Sequence, residues 1–143
     1  MHEVAIYSAT IEEVRSGLPL GRRLREFNYR YIGEYPESTS IWLNAKDDTG
    51  AVVGGLRGLV ILNWLRVELL WVEETCRHQR VGTRLLVKAE TQARKLGASD
   101  AGLETFEWQA PDFYIKQGYI EASRVQNYVD SYYLTFMRKS LVQ

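Results

Sequence analysis

The sequence predicts an α+β domain: a mixed, mostly antiparallel central sheet of six to seven strands flanked by helices. Three observations predict it. Apolar runs over residues 41–45, 51–62 and 65–72 are separated only by short turns, the pattern of an antiparallel meander. The apolar period then changes, with Val81, Leu85, Ala89, Ala93 and Leu96 recurring every three or four residues, the stripe of an amphipathic helix. A further apolar run, residues 101–106, follows that helix, as in a strand–helix–strand crossover with parallel strands.

Each element has a local cause. Residues 4–7 form a short strand candidate. Thr10-Ile11-Glu12-Glu13 reads as a capping box, in which Thr10 and Glu13 satisfy each other's amides. Gly17 and Pro19 break that helix early. A second helix carries Leu20, Leu24, Phe27 and Tyr31 on one face. Gly33, Pro36 and Ser38-Thr39-Ser40 form a loop. Residues 46–50, Lys-Asp-Asp-Thr-Gly, make the first hairpin turn, and Asn63-Trp64 the second. Leu69-Leu70-Trp71-Val72 is apolar on both faces, which predicts a central strand covered on both sides. On the long helix Glu90 and Arg94 form an i,i+4 pair in the better orientation, and Gly97 occupies the C-terminal cap position. Pro111 opens a short helix over residues 111–117 that Gly118 closes. Residues 119–125 and 128–137 complete the sheet. The aromatic side chains of the last strand (Tyr128, Tyr132, Tyr133 and Phe136) mark a sheet edge suited to a homodimer or to a cover.

The 143 residues suit a single domain spanning 1–143, with 45% hydrophobic and 25% charged residues. Eighteen basic residues balance eighteen acidic ones, so no net field holds nucleic acid or an anionic membrane. Cys76 is the only cysteine, which excludes an internal disulfide. His2 and His78 have no second cysteine to join them in a metal site. The N-terminus lacks the basic and apolar regions of a signal peptide, and residues 59–72 are too short and too interrupted to span a bilayer as a helix. A soluble, cytoplasmic protein is expected.

Between the strand end at Val72 and the long helix lies a loop, Glu73-Glu74-Thr75-Cys76-Arg77-His78-Gln79-Arg80-Val81-Gly82-Thr83. The first amides of a helix lack intrahelical partners, and the macrodipole puts partial positive charge there. Arg77, Arg80 and Arg84 add charge, and Gly82 permits close backbone approach. The arrangement suits a pyrophosphate. It is neither a P-loop nor a dinucleotide fingerprint, because both glycine patterns are missing. A surface loop with solvated arginines accounts for it equally well in isolation.

A second run supplies context. Residues 67–86, together with Thr105-Phe106-Glu107-Trp108-Gln109-Ala110-Pro111-Asp112-Phe113-Tyr114-Ile115-Lys116-Gln117-Gly118-Tyr119, resemble the two cofactor-proximal motifs of the GNAT acetyltransferase superfamily. The first family pattern is Gln/Arg-x-x-Gly-x-Gly/Ala; the second is a Phe-Tyr pair on a short helix closing with Gly and an aromatic. Arg80 replaces the first glycine of the loop pattern. The resemblance implies acetyl-CoA as cosubstrate and a primary amine of a small molecule or peptide as acceptor. It implies that the diphosphate rests on Arg77, His78, Gln79, Arg80, Val81, Gly82 and Thr83, with Gln109 also at the cofactor. The pantetheine arm then pairs with the main chain of Leu70, Trp71 and Val72. Tyr114 matches the family's proton donor; the alternative is a packed aromatic among Trp108, Phe113 and Tyr119. Glu68 is the candidate base, directly or through water, or else the partner of Arg66 or a neighbour in a salt bridge. Glu104 is the other candidate. Cys76 reads as structural. Tyr29, Tyr31, Tyr35 and Trp64 are candidates for an aromatic acceptor wall. Two rivals stand beside the enzyme: a non-catalytic acyl-CoA-binding sensor and an interaction subunit without a ligand.

Overall fold

The computed structural model describes residues 2–17 and 19–142. They form two compact units, Met1–Tyr35 and Pro36–Gln143.

In the first unit, α1 (Ile11–Arg15) starts at the expected capping box. The Glu13 amide donates to Thr10 Oγ1 at 3.1 Å, and Glu13 Oε1 accepts from the Thr10 amide at 2.9 Å. Helix α2 (Leu20–Ile32) ends at Gly33, whose φ of 75° explains the glycine. The expected strand over residues 4–7 does not form. Val4 is 87% and Ile6 96% exposed, and the segment pairs with no strand among the described residues. Four residues supply too few ladder bonds to stand alone.

The second unit holds the sheet, whose six strands are β1 (Thr39–Lys46), β2 (Val52–Ile61), β3 (Trp64–Val72), β4 (Asp100–Phe106), β5 (Ile120–Val129) and β6 (Tyr132–Ser140). Their spatial order is β1-β2-β3-β4-β6-β5. Only β3 and β4 are parallel, joined through α3 (Val81–Lys95). The meander and the crossover are therefore as the apolar pattern predicts. Helix α3 packs across β1, β2 and β3. Its buried residues are Val81, Leu85, Leu86, Ala89, Glu90 and Ala93. Leu96 leaves the stripe, because it caps the helix at 45% exposure. Gly97 adopts φ 93°, as the cap requires.

The last hairpin turns later than the sequence suggests. Gln126-Asn127, between the two expected strands, lie inside β5, where Asn127 is a left-handed irregularity, and Asp130-Ser131 makes the turn. Asn and Asp both tolerate that backbone region, so the pattern alone did not separate bulge from turn. The last strand is not the edge that its aromatic residues suggest: β6 lies between β4 and β5, and the sheet's two edges are β1 and β5, the latter with all ten residues exposed.

Candidate functional site

Strand β3 changes character at Glu68. Gly58 lies opposite Val67 and Arg57 opposite Leu69, so Glu68 is the extra residue of a β-bulge. The bulge inverts the side-chain alternation: Leu65 and Val67 are buried before it, whereas Val72 is buried after it. Arg66 and Glu68 still share the outer face, whereas Leu70, which simple alternation would put with them, packs against the core. Leu69 and Trp71 are 56% and 53% exposed, so this end of the strand is not covered on both faces as its composition predicts.

The parallel ladder stops at the same place. Its last pair is Val67 with Leu103. Beyond it β3 stays on β2 and β4 stays on β6, so the sheet opens into a wedge. A bulge bends its strand and raises the local twist, which accounts for the divergence. The Glu73 amide donates to the Val53 carbonyl at 2.8 Å. Since main-chain groups alternate along a strand, Trp71 also turns its groups to β2, while Leu70 and Val72 turn theirs to the wedge. Of the three residues expected to pair with a ligand there, two are so oriented. The Val72 carbonyl already accepts from Arg77 Nε at 2.9 Å, with the Arg77 guanidinium 4.7 Å over the Trp71 ring. That arginine is thus a clamp on β3.

The loop after β3 is a 3₁₀ helix, Glu74–Gln79, ending at Arg80. Arg80 sits in the left-handed region, φ 59° and ψ 27°, where the family pattern has glycine. Helix α3 has no side-chain N-cap. The Arg84 amide bonds the Arg80 carbonyl at 3.0 Å, so the amides of Val81, Gly82 and Thr83 precede the intrahelical ladder and remain available. Gly82 lies against both neighbours: a Cβ there would make ordinary contacts 3.4 Å from the Phe113 ring and 3.8 Å from Val72, so packing alone does not demand the glycine. The end of β3, the start of α3 and helix α4 (Pro111–Lys116) therefore converge on Gly82.

Helix α4 is tied down on several sides. Gln117 Nε2 donates to Thr83 Oγ1 at 3.0 Å. The Tyr119 hydroxyl donates to Glu90 Oε2 at 2.8 Å, and Lys139 Nζ donates to both Glu90 oxygens at 3.0 and 3.2 Å. Glu90 is 3% exposed. The expected Glu90–Arg94 pair is not made; Arg94 Nε bonds the Leu141 carbonyl instead, at 2.8 Å. Glu90 lies four residues from Leu86 and three from Ala93, both buried, a spacing that marks the inner face and that the i,i+4 reading passes over. Gln109 shapes the loop before α4: its Oε1 accepts from the Phe106 amide at 2.8 Å.

Tyr114 is 8% exposed, and its ring packs edge-on against Phe113 and Tyr119. It is a packed aromatic, yet its hydroxyl bonds to no described residue, unlike that of Tyr119. Burial pushes the Tyr114 phenol up to about 12. Burial, then the Glu90 carboxylate, pushes that of Tyr119 still higher. Glu68 pairs with Arg57 across the ladder rather than with Arg66: Nε and Oε1 are 3.7 Å apart, an ion pair without a hydrogen bond. Arg57 in turn lies 5.6 Å over Trp42.

Comparisons with known proteins agree with this fold. The family model described as "Acetyltransferase (GNAT) family" matches residues 7–119. Blasticidin-S acetyltransferase of Streptomyces morookaense is 40% identical over 82 residues, 57% of this chain and 60% of that protein's length. An acetyltransferase of Agrobacterium fabrum is 29% identical over 113 residues, 79% of this chain and 82% of that protein. The crystal structure of an acetyltransferase from Bacillus cereus ATCC 14579 is 27% identical and superposes with a TM-score of 0.83, covering 96% of this chain and 97% of that one.

Proposed function

The chain belongs to the GNAT acetyltransferase family, and from that premise we propose that it moves an acetyl group from acetyl-CoA to a primary amine of a small molecule or peptide, by direct attack in a ternary complex. The observation that carries this reading is the wedge between β3 and β4, which opens beside the free amides of α3. The residues fit the cosubstrate. Val81, Gly82 and Thr83 offer amides to its diphosphate, with Arg77, His78, Gln79 and Arg80 on the same loop. Leu70 and Val72 offer main-chain groups to its pantetheine arm. Gln109 lines the wedge from the other side.

The reaction needs an unprotonated amine. An alkylammonium of pKa roughly 10.4 must first lose a proton. In this reading Glu68 takes it, directly or through a water. The amine nitrogen then bonds the acetyl carbon, the carbon–sulfur bond breaks, the electron pair leaves on sulfur, and the nitrogen sheds its second proton to solvent to give the amide. In this reading the Tyr114 hydroxyl, which bonds to no described residue, would stand near that sulfur. A phenol near 12 is a weaker acid than a thiol, roughly 8.5 for cysteine. Full proton transfer would therefore run uphill by about 3.5 pKa units. The contribution of Tyr114 is a hydrogen bond that strengthens as charge grows on sulfur, and solvent completes the protonation.

A panel of amines incubated with acetyl-CoA, read by thiol release and product mass, tests the proposal. Release that depends on the amine is expected. Binding of acetyl-CoA without release from any amine would favour the acyl-CoA-binding sensor instead.

A further inference from the structure

The wedge contains a groove of about 520 Å³. Its floor is Val67 and Leu103, the last paired residues, and Phe106 and Phe136 stand on its walls. Three charged residues line it: Arg66, Glu68 and Glu104. Glu68 is matched by Arg57 at 3.7 Å. Just outside the groove, Asp100 is matched by Arg138 at 3.3 Å. Arg66 and Glu104 are the two charges left over. Both are exposed on the outer face of the sheet, and neither forms an ion pair with a described residue.

Register fixes their separation. Arg66 lies opposite Gly102 in the parallel ladder, so Glu104 is two residues farther along the neighbouring strand, on the same face. Strand geometry puts their Cα atoms roughly 8 Å apart. Opposite charges that face one groove from adjacent strands and yet do not meet leave room for a molecule bearing both signs.

Resting on the acetyltransferase reading above, we propose that the acceptor is an amino-acid-like zwitterion with an aromatic or large apolar body. Glu104 receives its ammonium, Arg66 its carboxylate, and Phe106 and Phe136 its body. Glu104 is a specificity residue in this arrangement, and Glu68 keeps the separate task of taking the proton. A dication is disfavoured by Arg66 and a dianion by Glu104, so the groove discriminates by the pairing of signs rather than by net charge.

Three probes of one shape test it: phenylalanine, 2-phenylethylamine, which lacks the carboxylate, and 3-phenylpropionate, which lacks the ammonium. NMR titration of the protein without acetyl-CoA is expected to show phenylalanine binding about tenfold more tightly than either single-charge analogue. Arg66→Gln should bring phenylalanine down to the level of 2-phenylethylamine and leave that amine unchanged. Glu104→Gln should bring phenylalanine down to the level of 3-phenylpropionate. Equal binding of the three probes, or variants that alter none of these ratios, overturns the inference. Thiol release from acetyl-CoA, measured on the same amines, separates the two layers of the argument. Discrimination in binding without release keeps the groove and sinks the transfer reaction. Release that is equal for phenylalanine and 2-phenylethylamine keeps the transfer reaction and sinks the groove.

Discussion

The turn that opens α3 and the turn that closes α4 are joined by the Thr83–Gln117 hydrogen bond, yet they spend their polar groups in opposite ways. At the α3 end, three amides precede the helical ladder, no side chain caps them, and Arg80 occupies a left-handed conformation that suits glycine. At the α4 end, the Tyr119 hydroxyl, the Glu90 carboxylate and the Lys139 ammonium satisfy one another in a nearly dry setting. Tyr114 sits at the boundary, its ring held on the satisfied side and its hydroxyl unspent. The difference separates holding from binding. At these two turns, the groups that fix geometry are consumed inside the protein, and the amides and hydroxyl proposed to meet a ligand are left without partners.

Breaking the satisfied side should have the largest effect. Glu90→Ala leaves Lys139 and Tyr119 without their shared acceptor, and a loss of about 3 kcal/mol in unfolding free energy is expected from denaturant titration. A loss under about 0.5 kcal/mol would mean the cluster holds nothing in place. Tyr114→Phe should lower kcat about a hundredfold while the dissociation constant for acetyl-CoA stays within about twofold. Unchanged kcat would return Tyr114 to the packing residues.

The raised phenol of Tyr114 sharpens the comparison through pH. Its ordinary value near 10 applies in the unfolded chain, and about 12 in the fold. The unfolded chain therefore sheds this proton first. The contribution to stability is complete below pH 10 and is lost as pH rises towards 12, by about 1 kcal/mol at pH 11. Tyr119, shifted in the same direction, adds to the decline. Thermal melts between pH 9 and 11 that stayed level would contradict this burial effect.

The smallest effect belongs to the open side. Arg80→Gly relieves about 1 kcal/mol of left-handed strain, and glycine's extra freedom in the unfolded chain returns about half of it. A rise in Tm of roughly 2 °C is expected by calorimetry. A fall would show that the Arg80 side chain contributes a contact of its own.

Much of this was legible in the sequence. Apolar runs and turn residues located β1 to β4, because a period of two and a period of 3.6 differ over a few residues. The α3 amides and Tyr114 followed from a helix start and a matched motif. What escaped is long-range. The Arg57–Glu68 pair depends on which residues a bulge sets opposite each other, and no local pattern announces a bulge. Glu90 looked like a surface i,i+4 partner because Lys139, its true counter-ion, is 49 positions away. The strand expected over residues 4–7 failed for the opposite reason, since local propensity was present but no ladder was there to receive it.

One extra residue at position 68 has a consequence for variation. The hollow between the strands exists because a ladder has lost step with itself, and step-counting is indifferent to what the neighbouring side chains are made of. The lining is thus at liberty to drift from one chemistry to another while the scaffold keeps its shape. Removing that single residue from β3 would instead put the ladder back in step and zip the hollow shut, taking with it the one wall residue, Glu68, that the bulge supplies.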